Sequence, residues 1–316
     1  MMNQSLKLFT VATLAGALAA CGGSGSSSDD TGSTGTVSFD VTDAPAMEFS
    51  NVTVSFTGIS LKPQNGEWVE FSFDTPKTWN LLDLQGGMSE PLITDEEVPA
   101  GPYSELRLLV DTTELASFVT LKDQPDVKKS LAVPSGEQSG LKLKGEFLVA
   151  ADTTTDFTID FDVKKSIVNP QGQSLADYLL KPSLRLVSNL EVGSISGEVD
   201  YATINQARNS DETQANCTEG YEGSAYVYQG ADVIPTDLNV NNEEGNPLMV
   251  VPVSLKDGDS LYSYKAAFLT EGEYTISYSC QVDDNEIDDE IEFDGTQNVT
   301  VEAGIETEAQ TIPLVN

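Results

Sequence analysis

The chain has 316 residues, with 16 Lys+Arg against 51 Asp+Glu, no histidine and a formal net charge of −35. A nucleic-acid partner needs a basic surface against its phosphates, so this balance argues against one. Without histidine the chain has no Ser-His-Asp triad, no Cys-His dyad and no His-ligated metal. The acidity reads as a solvated coat that keeps the protein soluble, with cation capture as the alternative.

In chain order the first feature is a leader. Lys7 supplies a positive start, and Leu8 through Ala20 form an apolar run. That run is well short of the roughly 20 residues a membrane-spanning helix needs, and it suits the apolar segment of a signal peptide. It ends Leu18-Ala19-Ala20-Cys21, which resembles the lipobox of bacterial lipoproteins. The resemblance implies cleavage of 1–20 and lipidation of Cys21 by a diacylglycerol, with a further acyl chain such as palmitate on the new amine. At about 0.8 kcal/mol per buried methylene, two or three chains make a lasting anchor. Gly22-Gly23 lacks the aspartate that retains such proteins in the inner membrane, so the outer membrane is the expected address. The partner here is the membrane itself, reached through lipid. Residues 21–35, nearly all Gly, Ser, Thr and Asp after the cysteine, read as a flexible tether reaching on the order of 20 Å.

Beyond the tether the pattern is all-β, and two antiparallel β-sandwich domains are expected, at 36–192 and 193–316. Val37, Phe39 and Val41 alternate with polar residues, as do Val52, Val54 and Phe56. Gly58 breaks the phase before Ile59 and Leu61, and Asn65-Gly66 has hairpin chemistry. Phe157, Ile159, Phe161 and Val163 alternate with Asp156, Asp160 and Asp162, which puts those acids on a solvent face next to Lys164 and Lys165. No helix of ten or more residues is expected after the leader.

Several motifs then look familiar: Val41-Thr42-Asp43-Ala44-Pro45, Leu84-Gln85-Gly86-Gly87, Pro99-Ala100-Gly101-Pro102-Tyr103 and Lys181-Pro182-Ser183-Leu184-Arg185-Leu186. Together they resemble the bacterial-lipoprotein family known as domain of unknown function 4382. That resemblance implies a β-sandwich and an exported address, and no activity.

Past residue 192 only Arg208, Lys256 and Lys265 carry positive charge. Such a shift suits a separate domain with its own surface. Ala225-Tyr226-Val227-Tyr228 and Gly272-Glu273-Tyr274-Thr275-Ile276 make it similar to the Greek-key sandwiches of the carboxypeptidase-regulatory or transthyretin-like kind. Such domains are mostly spacers and binding modules. Cys217 and Cys280 are the pair left once Cys21 is lipidated, and in an exported chain they read as a disulfide.

Candidate sites are few. Asp40 and Asp43, with Asp160 or Asp162, could gather round Ca2+, although a turn role suits them as well. Glu290, Glu292 and Asp294 with Gly295 match the opening of a calcium loop, but its twelfth position is Val301 and no helices flank it. The alternation of Ile291 and Phe293 with these acids reads as a strand. No cofactor is expected apart from Ca2+ at such sites. Trp68, Trp79 and Tyr103 could form a sugar platform for a glycan ligand. These features favour a non-catalytic display, binding or structural lipoprotein of the cell envelope, with a glycan or protein ligand. A calcium-dependent adhesin or cation-binding surface protein is the alternative. A glycoside hydrolase working with two carboxylates is a further one.

Overall fold

The computed structural model describes residues 33–44, 49–134, 139–170, 176–181, 183–211, 213–242, 245–256 and 258–314. The leader, Cys21 and nearly all of the tether lie outside the described residues. Ser33–Asn316 pack as one compact unit.

The first group of strands comprises β1 (Thr34–Ala44), β2 (Phe49–Pro63), β3 (Val69–Asn80), β4 (Glu90–Pro99), β5 (Gly101–Val110), β6 (Phe118–Leu121), β7 (Gln124–Ala132), β8 (Leu141–Val149), β9 (Thr154–Asp162), β10 (Ile167–Val168), β11 (Tyr178–Leu180) and β12 (Leu184–Ser188). A single helical turn, α1 (Val163–Ser166), joins β9 to β10. One sheet runs β12-β9-β1-β4; the facing sheet runs β10-β11-β7-β6-β2-β5-β8, with β3 on β2.

The core between these sheets follows from the period-two pattern. Val37, Phe39 and Val41 from one sheet meet Val54, Phe56, Ile59 and Leu61 from the other, all fully buried. Phe56 and Ile59 are three apart yet both face inward, so the parity must be reset between them. A bulge does this: the register shifts between Phe56 and Gly58 against both β3 and β5. Only glycine fits, because a Cβ at residue 58 would lie 2.4 Å from the Phe71 carbonyl oxygen.

The second group comprises β13 (Val192–Val199), helix α2 (Tyr201–Ser210), β14 (Ser224–Gln229), β15 (Met249–Pro252), β16 (Ser254–Leu255), β17 (Tyr262–Thr270), β18 (Gly272–Ser279), β19 (Asp294–Val301) and β20 (Glu306–Glu308). Its sheets run β16-β17-β13-β20 and β15-β14-β18-β19. Most pairs are antiparallel, while β1–β9, β7–β11 and β13–β20 are parallel. Strand β14 is buried on both faces. Ala225 and Val227 enter the sandwich core, whereas Tyr226 and Tyr228 pack with Leu238 and Val250 beneath covering loops. The Cys217–Cys280 disulfide is formed.

Two sequence expectations fail. A ten-residue helix is present after all: α2. Its apolar stripe is too thin to read, since the residues it buries are Ile204 and Arg208. Asp200 caps it, accepting the Thr203 N–H at 3.0 Å. Conversely, residues 283–293 form no strand. The segment is irregular because its polar side chains bond inward: Asp283 and Asn285 are buried, and Asp289 accepts the Asp284 N–H.

Candidate functional site at the junction of the sandwiches

The ends of β1 and β9, the turn α1, strand β12 and the loop 84–88 converge where the second sandwich packs on the first. Residues of the segments 41–45, 84–87 and 181–186 that carry the family resemblance therefore meet in one polar cluster, whereas Tyr103 of the remaining segment stacks on Phe147. The Thr42 hydroxyl lies 2.9 and 2.7 Å from the carbonyl oxygens of Leu84 and Met88, which fixes the loop. Gly87, at φ +92°, sits so close to the second sandwich that a Cβ would meet the Ala267 Cβ at 3.3 Å.

Asp160 does not lie on a solvent face as the alternation implied. It is 4% exposed, and its carboxylate accepts from the Arg185 guanidinium, with Nε at 3.0 Å. Alternation reports which residues share a face of a strand, and here the second sandwich covers that face with Met249, Val251 and Phe268. Asp156, further along β9, does remain exposed. Asp162 caps α1 by accepting the Lys165 N–H at 3.0 Å. The Lys165 Nζ then spans the junction, 3.0 Å from Asp162 and 2.8 Å from both the Pro247 and Leu248 carbonyl oxygens.

Asp43 is the odd charge in this cluster. Three carboxylates, Asp43, Asp160 and Asp162, face two cations, Arg185 and Lys165, and both cations are engaged by the other two acids. Oδ1 of Asp43 accepts the Val163 N–H at 3.3 Å, and Oδ2 lacks a well-formed hydrogen-bond partner among the described residues. Burial, and then the charges of Asp160 and Asp162, hold its pKa well above the ordinary carboxylate value; the Val163 N–H and the Gln85 side chain pull the other way. A raised folded pKa means the native state keeps a proton that the unfolded chain gives up. Stability therefore falls as pH rises from the unfolded pKa near 3.8 towards the folded one. Asp43→Asn is expected to raise the melting temperature at neutral pH and to flatten its decline as pH rises above about 4. Equal pH profiles for the two proteins would contradict this.

A second depression lies between the edge strands β8 and β12, which close neither sheet on that side. This groove of about 760 Å³ has Phe147, Phe157 and Leu186 among its lining residues, with the exposed side chains of Leu148 and Leu190 at its rim.

The remaining sequence candidates do not come together. Asp40 points to the other face of β1 from Asp43 and accepts the Ser89 hydroxyl at 3.0 Å. Glu292 and Asp294 hold Arg208, whose Nη1 and Nη2 lie 2.8 and 2.9 Å from them, while Glu290 is exposed. Among the described residues no three Asp, Glu or Cys side chains gather closely enough to hold a metal. Arg208→Met is expected to cost about 2–3 kcal/mol in chemical denaturation. That is less than for a sealed ion pair, because Glu292 at 42% and Asp294 at 24% exposure regain water. An unchanged midpoint would contradict it.

The aromatic trio is dispersed too. The Trp68 ring lies outward as expected, with the Arg107 guanidinium 4.1 Å from its centroid. Trp79 packs beside Phe56 at the core. Tyr103 is 1% exposed, stacks on Phe147 and donates its hydroxyl to the Pro99 carbonyl at 2.7 Å. A platform needs coplanar, accessible rings, and buried Tyr103 cannot supply one. From sequence Lys164 and Lys165 read only as counter-charge beside the acids of β9, and nothing local marked Asp283 as a buried partner.

Residues 34–182 match the family model described as Domain of unknown function (DUF4382). No curated protein matches the chain. Among solved structures, it is similar to a leucine-rich repeat protein from Bacteroides thetaiotaomicron at 14% identity and a TM-score of 0.21. That alignment covers 89% of this chain and 26% of the other, so this chain spans about a quarter of that protein. It is similar at 10% identity to the minor pilin GBS52 of Streptococcus agalactiae, with a TM-score of 0.19 and 88% and 98% of the two chains covered. A candidate adhesin from Bacteroides ovatus aligns at 10% identity over 95% of each chain, with a TM-score of 0.22.

Proposed function

We propose that the protein is an exported envelope lipoprotein, anchored through acyl chains on Cys21, that serves as a non-catalytic display and binding module at the outer membrane. The carrying observation is the junction, where Lys164 and Lys165 of the first sandwich are bonded into the second. A body locked in this way suits the holding of a protein or glycan ligand at a fixed distance from the lipid. Among the described residues no helix is long and apolar enough to cross a membrane.

Growth in labelled palmitate tests the anchor: wild type is expected to carry label in the outer-membrane fraction, and Cys21→Ser to carry none. Unlabelled wild type would end the lipoprotein reading. The detergent-extracted protein on glycan and protein arrays tests the display role, with binding and no turnover expected. Hydrolysis of an arrayed glycan would overturn it.

A further inference from the structure

We propose that Lys164 and Asp283 join in an amide bond, so that the two sandwiches are cross-linked covalently. The Lys164 Nζ lies 3.1 Å from Asp283 Oδ2, and the two side chains are 5% and 0% exposed. The residues are 119 apart in sequence and come from opposite sides of the junction.

The distribution of donors on Asp283 separates this pair from an ordinary ion pair. Oδ2 takes every hydrogen bond: Lys164 Nζ, the Tyr226 hydroxyl at 2.8 Å and the Leu238 N–H at 3.2 Å. Oδ1 has none among the described residues. A buried carboxylate oxygen left without any donor costs stability in an ordinary ion pair. Here one oxygen is held by three donors, as a leaving oxygen needs to be, and the other is left bare to become an amide carbonyl.

The step balances without a co-reactant. The Lys164 ammonium gives one proton to Oδ2, leaving a neutral amine beside a neutral acid. The Nζ lone pair attacks Cγ and forms the N–C bond. The Cγ–Oδ2 bond breaks, and Oδ2 departs as water with a second proton from Nζ. One ammonium and one carboxylate become one neutral amide and one water. Tyr226 suits the role of donor to the leaving oxygen: burial, and then the charge of Asp283, push its pKa far up, so its O–H stays intact. Phe293 packs edge-on against the Tyr226 ring and helps to exclude solvent.

The test is mass spectrometry of the full-length protein, disulfide-reduced and unfolded, beside Lys164→Arg. Processing and lipid are common to both and cancel in the difference. The wild type is expected to be lighter by one water than its composition requires, and digestion to yield a branched peptide containing both Lys164 and Asp283. Lys164→Arg, which keeps the charge but lacks the nucleophile, is expected to show the full mass. Wild type at full mass without a branched peptide, from a preparation whose circular dichroism shows it folded, overturns the proposal. Tyr226→Phe is expected to leave a fraction uncrosslinked, and complete cross-linking in it would overturn the part given to that hydroxyl.

Discussion

Replacing Cys217 and Cys280 together by alanine is expected to destabilise the second sandwich by about 2–5 kcal/mol, with the chain-entropy model placing the effect near 4 kcal/mol. The two residues are 63 apart, so the bridge closes a long loop in the unfolded chain and removes much of its freedom. The local structure shows what the bridge fastens. Cys280 is fully buried just after β18, and around it the Thr218 N–H donates to the Cys280 carbonyl at 3.0 Å while the Val282 N–H reaches the Thr218 hydroxyl at 3.1 Å. The segment after α2 is thereby pinned to the start of the loop that carries Asp283 and Asn285 into the junction. Alanine avoids placing a stranded hydroxyl in that site, so the measured loss reports the bridge. Urea unfolding of the oxidised wild type beside the double variant gives the difference, and reductant should shift only the wild type. Coincident curves under oxidising conditions would mean that the bridge adds nothing.

The scarcity of positive charge past residue 192 has a structural counterpart. Of the three basic residues there, buried Arg208 pairs with Glu292 and Asp294, and Lys265 pairs with Glu306. Those cations settle particular acids, and most of the acidic surface is left to water. Self-repulsion of that coat is a long-range effect that salt screens, whereas the Arg208 pairs, with the guanidinium buried and the acids partly exposed, respond less to it.

How far the sequence disclosed this molecule depends on the range of the forces involved. Val37, Phe39 and Val41 could be placed in a core because a strand with one buried face writes a period-two pattern along its own length. Gly58 was visible as a break in phase, and the bulge there is the local reason for it. Asp160 misled for the opposite reason: its alternation with Phe161 is real, but what covers the outer face of β9 is coded about 90 to 110 residues later. Asp283 and Asn285 have the composition of a solvated acidic run, and Lys164 of α1, with Tyr226 and Leu238 on Asp283, makes them interior residues. In the same way Arg208 looks like a surface cation until Glu292 and Asp294 close over it. The candidate site is therefore the least legible part of the fold, since each of its members takes its meaning from a partner on a distant segment.

Lys164→Met is expected to destabilise the folded unit by at least about 3–5 kcal/mol, the range for leaving a buried charge without its partner, with the lost cross-link adding to it. Methionine replaces the aliphatic stem at similar volume, so the loss falls on what is stranded and not on packing. Asp283, 0% exposed, would keep the Tyr226 hydroxyl and the Leu238 N–H as donors but lose its counter-charge. The decisive comparison adds Asp283→Asn to Lys164→Met. An asparagine oxygen still accepts from Tyr226 and Leu238 and carries no charge to strand, so the double variant should recover a large part of the loss. Thermal and urea unfolding of the two variants and the wild type measure it, and non-additivity is required of residues in contact. A double variant as unstable as the single one would show that shape, and not charge, sets the demand at this position. Recovery would show that the stranded charge on Asp283 accounts for that part of the loss, and the deficit left in the double variant would measure what the Lys164–Asp283 link itself contributes beside the Lys165 contacts.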